Sequence, residues 1–98
     1  MALQITQEQD IFKVDGGLCE ENVTSFRHHF NSVLNVSEKV VISLDRVEKI
    51  DASAVWVIKE LQQHAMSLNK IFYLMGKANE KVLQAFGANS YVLRSDFV

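Results

Sequence analysis

The sequence predicts an α/β domain in which a mixed sheet of four to five strands, opened by an N-terminal hairpin, is covered by three or more helices. Three observations predict it. Apolar and polar residues alternate near the N-terminus, residues 40–44 form a nearly continuous apolar run, and apolar residues recur at helical spacing in three further segments. With 98 residues and 48 % hydrophobic content, the chain can form one compact core, so a single domain over residues 1–98 is expected.

Two short strands are predicted at the N-terminus. Leu3 and Ile5 alternate with polar neighbours, and Phe12 and Val14 flank a lysine in the same way. The Asp-Gly-Gly sequence at residues 15–17 follows them and is typical of a turn. The two strands are therefore predicted to pair antiparallel, with both glycines as turn residues.

A first amphipathic helix is predicted from Glu20 to near Val36, because the apolar period changes there to that of a helix. Its apolar stripe consists of five residues: Val23, Phe26, Phe30, Val33 and Leu34. The next apolar run, residues 40–44, is rich in β-branched side chains and favours a strand buried on both faces. This strand is the best candidate for the centre of the sheet.

The second half of the chain alternates helices and strands. A second helix is predicted over residues 52 to about 68, where apolar residues recur at helical spacing: Val55, Ile58, Leu61, Ala65 and Leu68. Residues 71–75 predict another buried strand, and a short third helix carrying Val82, Leu83 and Phe86 is closed by Gly87. Residues 91–93 are predicted to add a last edge strand.

Composition excludes several classes of protein. Ten basic and 12 acidic residues give a net charge of -2 without any dense basic cluster, so no nucleic-acid partner is expected. The opening "MALQITQEQD" lacks the pattern of a secretory signal, and no apolar run approaches the roughly 20 residues of a membrane span. The single cysteine forms no internal disulfide, which favours a reducing compartment such as the cytoplasm.

The residues that most often bind metals are poorly placed for it. His28 and His29 are adjacent on a helix, about 100° apart, and His64 is distant in sequence. We expect surface histidines and no metal. Cys19 is followed by two glutamates, which disfavour a reactive thiolate, so we expect it to be a small packing residue.

Catalysis has no positive support in the sequence. Asp45, Glu48 and Asp51 are predicted to surround one loop, but no nucleophile and base pair accompanies them. The glycines at positions 16 and 17 match neither a Walker loop nor a dinucleotide-binding fingerprint. The chain is therefore not expected to be an enzyme or to bind a cofactor of its own.

The junction before the second helix is the most informative feature. Asp51 is a good N-cap, because its carboxylate can accept hydrogen bonds from the free amides of the first helical turn. The three residues after it, Ala52, Ser53 and Ala54, are all small and are expected to leave the helix start accessible. That arrangement suits either a closely approaching partner or an anion such as phosphate.

Trp56, the only tryptophan, is predicted to lie beside this junction. Helical spacing places it on the face turned away from Val55 and Ile58. Two alternatives remain open at this point. An exposed Trp56 would be an interface anchor, whereas a neighbouring loop that covers it would make it an ordinary packing residue.

Three segments together resemble a known family, the STAS domain of bacterial anti-sigma factor antagonists. "VDGGLCEENVTSFRHHF" is similar to the family's G-x-L-D turn before its first helix, and "KANEKVLQAFGA" to its third-helix segment. The more specific likeness is "VVISLDRVEKIDASAV", which is similar to the family's strand, spacer and D-S-[ST]-G helix start. The resemblance covers nearly the whole chain and implies the STAS fold.

The resemblance also implies a docking site and a departure from the family's switch. In the family, the Ser or Thr directly after the Asp is phosphorylated by an anti-sigma factor kinase, which releases the partner. Asp51 matches the Asp and Ser53 the second hydroxyl residue, but Ala52 occupies the phosphoacceptor position. Ala54 replaces the usual Gly, and Cys19 stands where the acid of the turn is expected.

A partner-binding surface is therefore expected at six residues: Cys19, Asp51, Ala52, Ser53, Ala54 and Trp56. The resemblance implies an anti-sigma factor or related ATP-binding regulator as the partner, with the nucleotide belonging to that partner. Ser53 is the one remaining hydroxyl for phosphorylation in the motif. A second possibility is the role of small STAS subunits that bind the ATPase of bacterial phospholipid ABC transporters.

Overall fold

The computed structural model describes residues 2–95. A single mixed sheet has the strand order β1-β2-β3-β4, in which β1 pairs antiparallel with β2 and the other neighbours pair in parallel. The elements follow one another in the order β1 Leu3–Glu8, β2 Ile11–Leu18, α1 Val23–Val36, β3 Lys39–Ile50, α2 Ala52–Ser67, β4 Ile71–Met75, α3 Glu80–Phe86 and a 3-10 helix Gly87–Val92. The predicted fold class, a hairpin leading into a mixed sheet with three helices, is confirmed.

The helices pack on one face of the sheet. Each crossover between parallel strands moves one position in the same direction along the sheet, and right-handed crossovers then place their helices on the same side. Phe12 of β2 makes an edge contact with Phe30 of α1, with ring centroids 5.4 Å apart. Val82 and Phe86 of α3 belong to the same buried cluster. The core therefore lies between the sheet and one layer of helices.

Strand β3 is central, as predicted, but it is longer than the apolar run. The polar stretch that was predicted to be a loop continues the strand to Ile50, which pairs with Leu18. Arg46 Nε lies 2.9 Å from Asp15 Oδ1 on β2. The prediction of a loop was wrong because pairing with β2, which local hydrophobicity does not reveal, keeps these polar residues extended.

The Asp-Gly-Gly sequence is not a turn. Gly16 and Gly17 lie inside β2, and the hairpin turns earlier, at Gln9 and Asp10. Gly16 has φ +89°, and a Cβ at this position would lie 2.0 Å from the carbonyl oxygen of Ala2. Gly16 is needed for this close approach, and the pairing register with β3 shifts between the two glycines, so neither residue reverses the chain.

The C-terminal edge of the sheet also differs from the prediction. Strand β4 is confirmed, but it is only partly buried: Leu74 is buried, whereas Ile71 is 57 % exposed. Residues 91–93 do not form a strand, because the chain is in a 3-10 helix up to Val92 and Arg94 makes one isolated bridge to Met75. Without a full strand beside it, β4 remains at the edge. Within residues 2–95, no helix is long and apolar enough to cross a membrane.

Candidate functional site

Asp51 caps α2, as the sequence predicts. Its backbone is extended, and its Oδ1 accepts a 3.1 Å hydrogen bond from the amide of Ala54. The Ser53 hydroxyl donates a second hydrogen bond of 2.6 Å to the same oxygen. Local sequence explains this arrangement, since a carboxylate before a helix satisfies amides that have no partner within the helix.

The other oxygen of Asp51 binds the loop that follows the neighbouring strand β2. Oδ2 accepts a 2.9 Å hydrogen bond from the amide of Glu20, and the Asp51 amide donates to the Leu18 carbonyl at 3.4 Å. One carboxylate thus joins the loop after β2 to the start of α2. No local sequence pattern predicts the contact between Glu20 and Asp51, because 31 positions separate the two residues.

The hydrogen bonds hold Asp51 in its ionised form. The Ser53 hydroxyl is the largest cause that lowers the pKa of Asp51, partial burial opposes it, and the amides of Glu20, Ala54 and Ser53 lower it further. The negative charge also lies at the positive end of the α2 dipole. Because this carboxylate already engages the first amides, the alternative of an external anion at the helix start is disfavoured.

The small residues after Asp51 differ in exposure. Ala52 is exposed and Ser53 is half-buried, whereas Ala54 is only 1 % exposed and packs in the core. Cys19 is 8 % exposed and borders a shallow depression beside Asp51. Ala52 and Ser53 are therefore available for direct contact with another molecule, whereas Ala54 packs in the core beneath the start of α2.

Trp56 is exposed over 61 % of its surface, one turn after Ala52. The Cζ atom of Arg27 on α1 lies 5.8 Å from the centroid of the indole ring, and Arg27 Nη2 is 2.7 Å from Glu60 Oε1. No loop among residues 2–95 buries the ring. Of the two alternatives left open by the sequence, the structure therefore supports the exposed tryptophan.

The other candidate groups do not converge on a site. His28, His29 and His64 are exposed, and residues 2–95 contain no group of three or more potential metal ligands. Asp45 lies in β3 beside Ser43, and the extended chain carries it about 20 Å from Asp51. The carboxylates predicted to share one loop are therefore spread along a strand.

Asn79 is an important residue that the sequence analysis missed. Its side-chain amide donates to the carbonyls of Leu44, Asp45 and Val47 at 2.8 to 3.2 Å, where β3 extends beyond its pairing with β4. Its Oδ1 caps α3 by accepting from the Lys81 amide at 3.0 Å. An Asn directly before a predicted helix is a recognisable cap signal, but its bonds to β3 are not local.

A mixed sheet with one helical layer and a capped, exposed helix start defines a small α/β domain whose distinctive surface lies at the β3–α2 junction. The family model of the STAS domain matches residues 2–89, which includes every strand and helix up to α3. The chain belongs to the STAS-domain family.

Solved structures of anti-sigma factor antagonists share the fold. Unphosphorylated SpoIIAA superimposes with a TM-score of 0.71 at 15 % identity, over 95 % of this chain and 86 % of that one. Phosphorylated SpoIIAA of Bacillus gives 0.66 at 15 % identity, over 95 % and 89 %. An antagonist from Mycobacterium paratuberculosis gives 0.70 at 12 % identity, over 98 % and 86 %. A comparison with curated proteins gives no match.

Proposed function

We propose that this protein is a non-enzymatic interaction module that docks an anti-sigma factor, or a related ATP-binding regulator, through the start of α2. The observation that carries the proposal is the exposed Ala52 directly after the ionised cap Asp51, with the exposed Trp56 one turn further on. The fold shared with anti-sigma factor antagonists supports the same surface. A regulator of this kind acts on transcription, so the proposal places the protein in the bacterial cytoplasm.

The proposed module is permanently competent to bind. Ala52 has no oxygen to phosphorylate, and the Ser53 hydroxyl is engaged with Asp51 at 2.6 Å. A phosphoryl group on Ser53 would add roughly two negative charges beside that carboxylate and would break the hydrogen bond. We therefore propose that the family's release switch is degenerate here, with partner binding controlled elsewhere.

A substitution that introduces a charge at the start of α2 tests the proposed docking surface. Ala52→Glu places a carboxylate where the family carries its phosphoryl group. We expect it to weaken binding of the purified partner at least tenfold by titration calorimetry, which is about 1.4 kcal/mol. An acid in the first turn is favourable for the helix, so the fold is retained. Ala88→Glu, the same change at an exposed alanine outside α2, is the matched control.

Two results would overturn the proposal. Equal affinity of Ala52→Glu and Ala88→Glu would show that the partner does not contact the helix start. Identification of the partner from native cells as an ABC transporter ATPase would replace the anti-sigma interpretation with the transport alternative. In that case the same pair of variants would show whether the ATPase uses this surface.

A further inference from the structure

An arginine of α1 lies against the exposed tryptophan of α2. The Cζ atom of Arg27 lies over the indole ring of Trp56, 5.8 Å from the ring centroid, and its Nη2 atom lies 2.7 Å from Oε1 of Glu60. Trp56 and Glu60 are four positions apart, so they lie on one face of α2. The guanidinium therefore contacts two successive turns of α2 from the neighbouring helix.

The two contacts of Arg27 start from fixed parts of the fold. Phe26, the residue before Arg27, is fully buried and anchors this turn of α1 in the core. Val57, the residue after Trp56, is 3 % exposed and anchors α2 in the same way. A guanidinium suits both contacts, because it donates to a carboxylate and also binds the face of an aromatic ring. The carboxylate of Glu60 thereby keeps the guanidinium over the indole.

The cluster of Arg27, Glu60 and Trp56 has more effect on the ring than on the stability of the fold. The side chains of Arg27 and Glu60 are 41 % and 44 % exposed, so water screens their attraction and the ion pair stabilises the protein little. An exposed indole, by contrast, rotates about two side-chain bonds, and a partner that binds it has to stop those rotations at a cost in free energy. The guanidinium restricts the rotations before any partner binds.

We propose that Arg27 is a positioning residue for docking, which holds the indole of Trp56 in one orientation before the partner binds. The proposal deepens the proposed function and rests on it for the identity of the partner. It assigns a role to a residue of α1 that lies outside the six residues expected to form the docking surface. Because the guanidinium lies over one face of the ring, the partner contacts the indole through the opposite face and the ring edge.

The single tryptophan makes the motion of the ring directly measurable. The indole Nε1–H gives one NMR resonance in isotope-labelled protein, and its relaxation reports motion on the picosecond to nanosecond timescale. We expect an order parameter of roughly 0.8 in the wild type and a value below roughly 0.6 in Arg27→Gln. Glutamine is about as good a helix former as arginine, so α1 stays folded in this variant.

Affinity for the purified partner tests whether this restriction contributes to docking. By titration calorimetry, Arg27→Gln should weaken binding about two- to tenfold, the range expected when one side chain has to be ordered on binding. In a protein that already carries Trp56→Ala, the same substitution should cause no further loss, because Arg27 acts through the ring. Arg46→Gln, which breaks the exposed ion pair with Asp15 on the sheet, is the matched control and should bind as the wild type does.

The possible failures are distinguishable. An unchanged order parameter in Arg27→Gln, or an affinity equal to that of Arg46→Gln, overturns the positioning role and leaves the docking surface standing if Ala52→Glu still weakens partner binding. A further loss of affinity in the Trp56→Ala protein would show that Arg27 contacts the partner itself, which also overturns the positioning role. If the Arg27 and Trp56 variants behave as expected but Ala52→Glu binds normally, the positioning role stands and docking through the α2 start fails.

Discussion

The Ser53 hydroxyl donates a 2.6 Å hydrogen bond to Oδ1 of Asp51, the residue that caps α2. The same oxygen accepts from the Ala54 amide, while Oδ2 accepts from the amide of Glu20. One carboxylate thereby fixes the helix start and attaches it to the loop after β2. The surface that we propose for docking is organised around this group.

Removing the cap should destabilise the fold measurably. Asp51→Ala deletes the acceptor of all these hydrogen bonds, and we expect a loss of about 1 to 2 kcal/mol in the free energy of unfolding by urea denaturation. Asp51→Asn keeps a good capping side chain but loses the charge, so its loss should be smaller. Glu38→Ala, a change at an exposed acid, is the control, and an equal loss in this variant would contradict the role of Asp51.

The Ser53 hydrogen bond should also appear in the pH dependence of stability. The folded-state pKa of Asp51 lies below its ordinary value of 3.8, so its ionised form contributes stability above pH 3.8 that is lost as the pH falls through the folded-state pKa. Ser53→Ala removes the largest cause of the lowering and should raise this pKa. Carbon NMR titration of the Asp51 carboxyl measures it directly.

Stability measurements should agree with that titration. Ser53→Ala is expected to be less stable than wild type by about 1 kcal/mol at neutral pH, and the difference should shrink below pH 3.8 as Asp51 becomes protonated in both proteins. A difference that stays constant down to the folded-state pKa would mean that the serine acts through packing alone.

Two glycines with positive φ provide a test of the corrected β2 strand. Gly16→Ala meets the Ala2 carbonyl oxygen at 2.0 Å, whereas a Cβ at Gly87 has no heavy atom within 4 Å. We expect Gly87→Ala to cost about 1 kcal/mol from backbone strain alone, and Gly16→Ala to cost at least twice as much. Thermal and urea denaturation measure both. Equal losses of unfolding free energy in the two variants would indicate that Gly16 lies in a solvent-exposed turn and not inside β2.

Local patterns predicted the elements well. The helical stripe of Phe26, Phe30 and Leu34 is buried as its spacing requires, the run at residues 40–44 is the central strand, and Asp51 is a cap. Each of these features is encoded within one segment, so propensity and periodicity are sufficient to find it.

Features that depend on another part of the chain were not predictable in this way. The polar residues up to Ile50 stay extended because β2 pairs with them, and the two glycines of β2 lie where the chain at Ala2 passes closely. The contacts of Asp51 with Glu20, and of Asn79 with three carbonyls of β3, join residues more than 30 positions apart. Tertiary structure decides such contacts, and they are absent from any local pattern.

The central claim is that the α2 start is the family's docking surface without its phosphorylation switch. Intact-mass measurement tests it most directly, on protein incubated with its ATP-binding partner and ATP. We expect the wild type to keep its mass, and Ala52→Ser, which restores the family's acceptor, to gain one phosphoryl group. A phosphoryl group on wild-type Ser53, or no modification of Ala52→Ser by a partner that binds it, would contradict the claim.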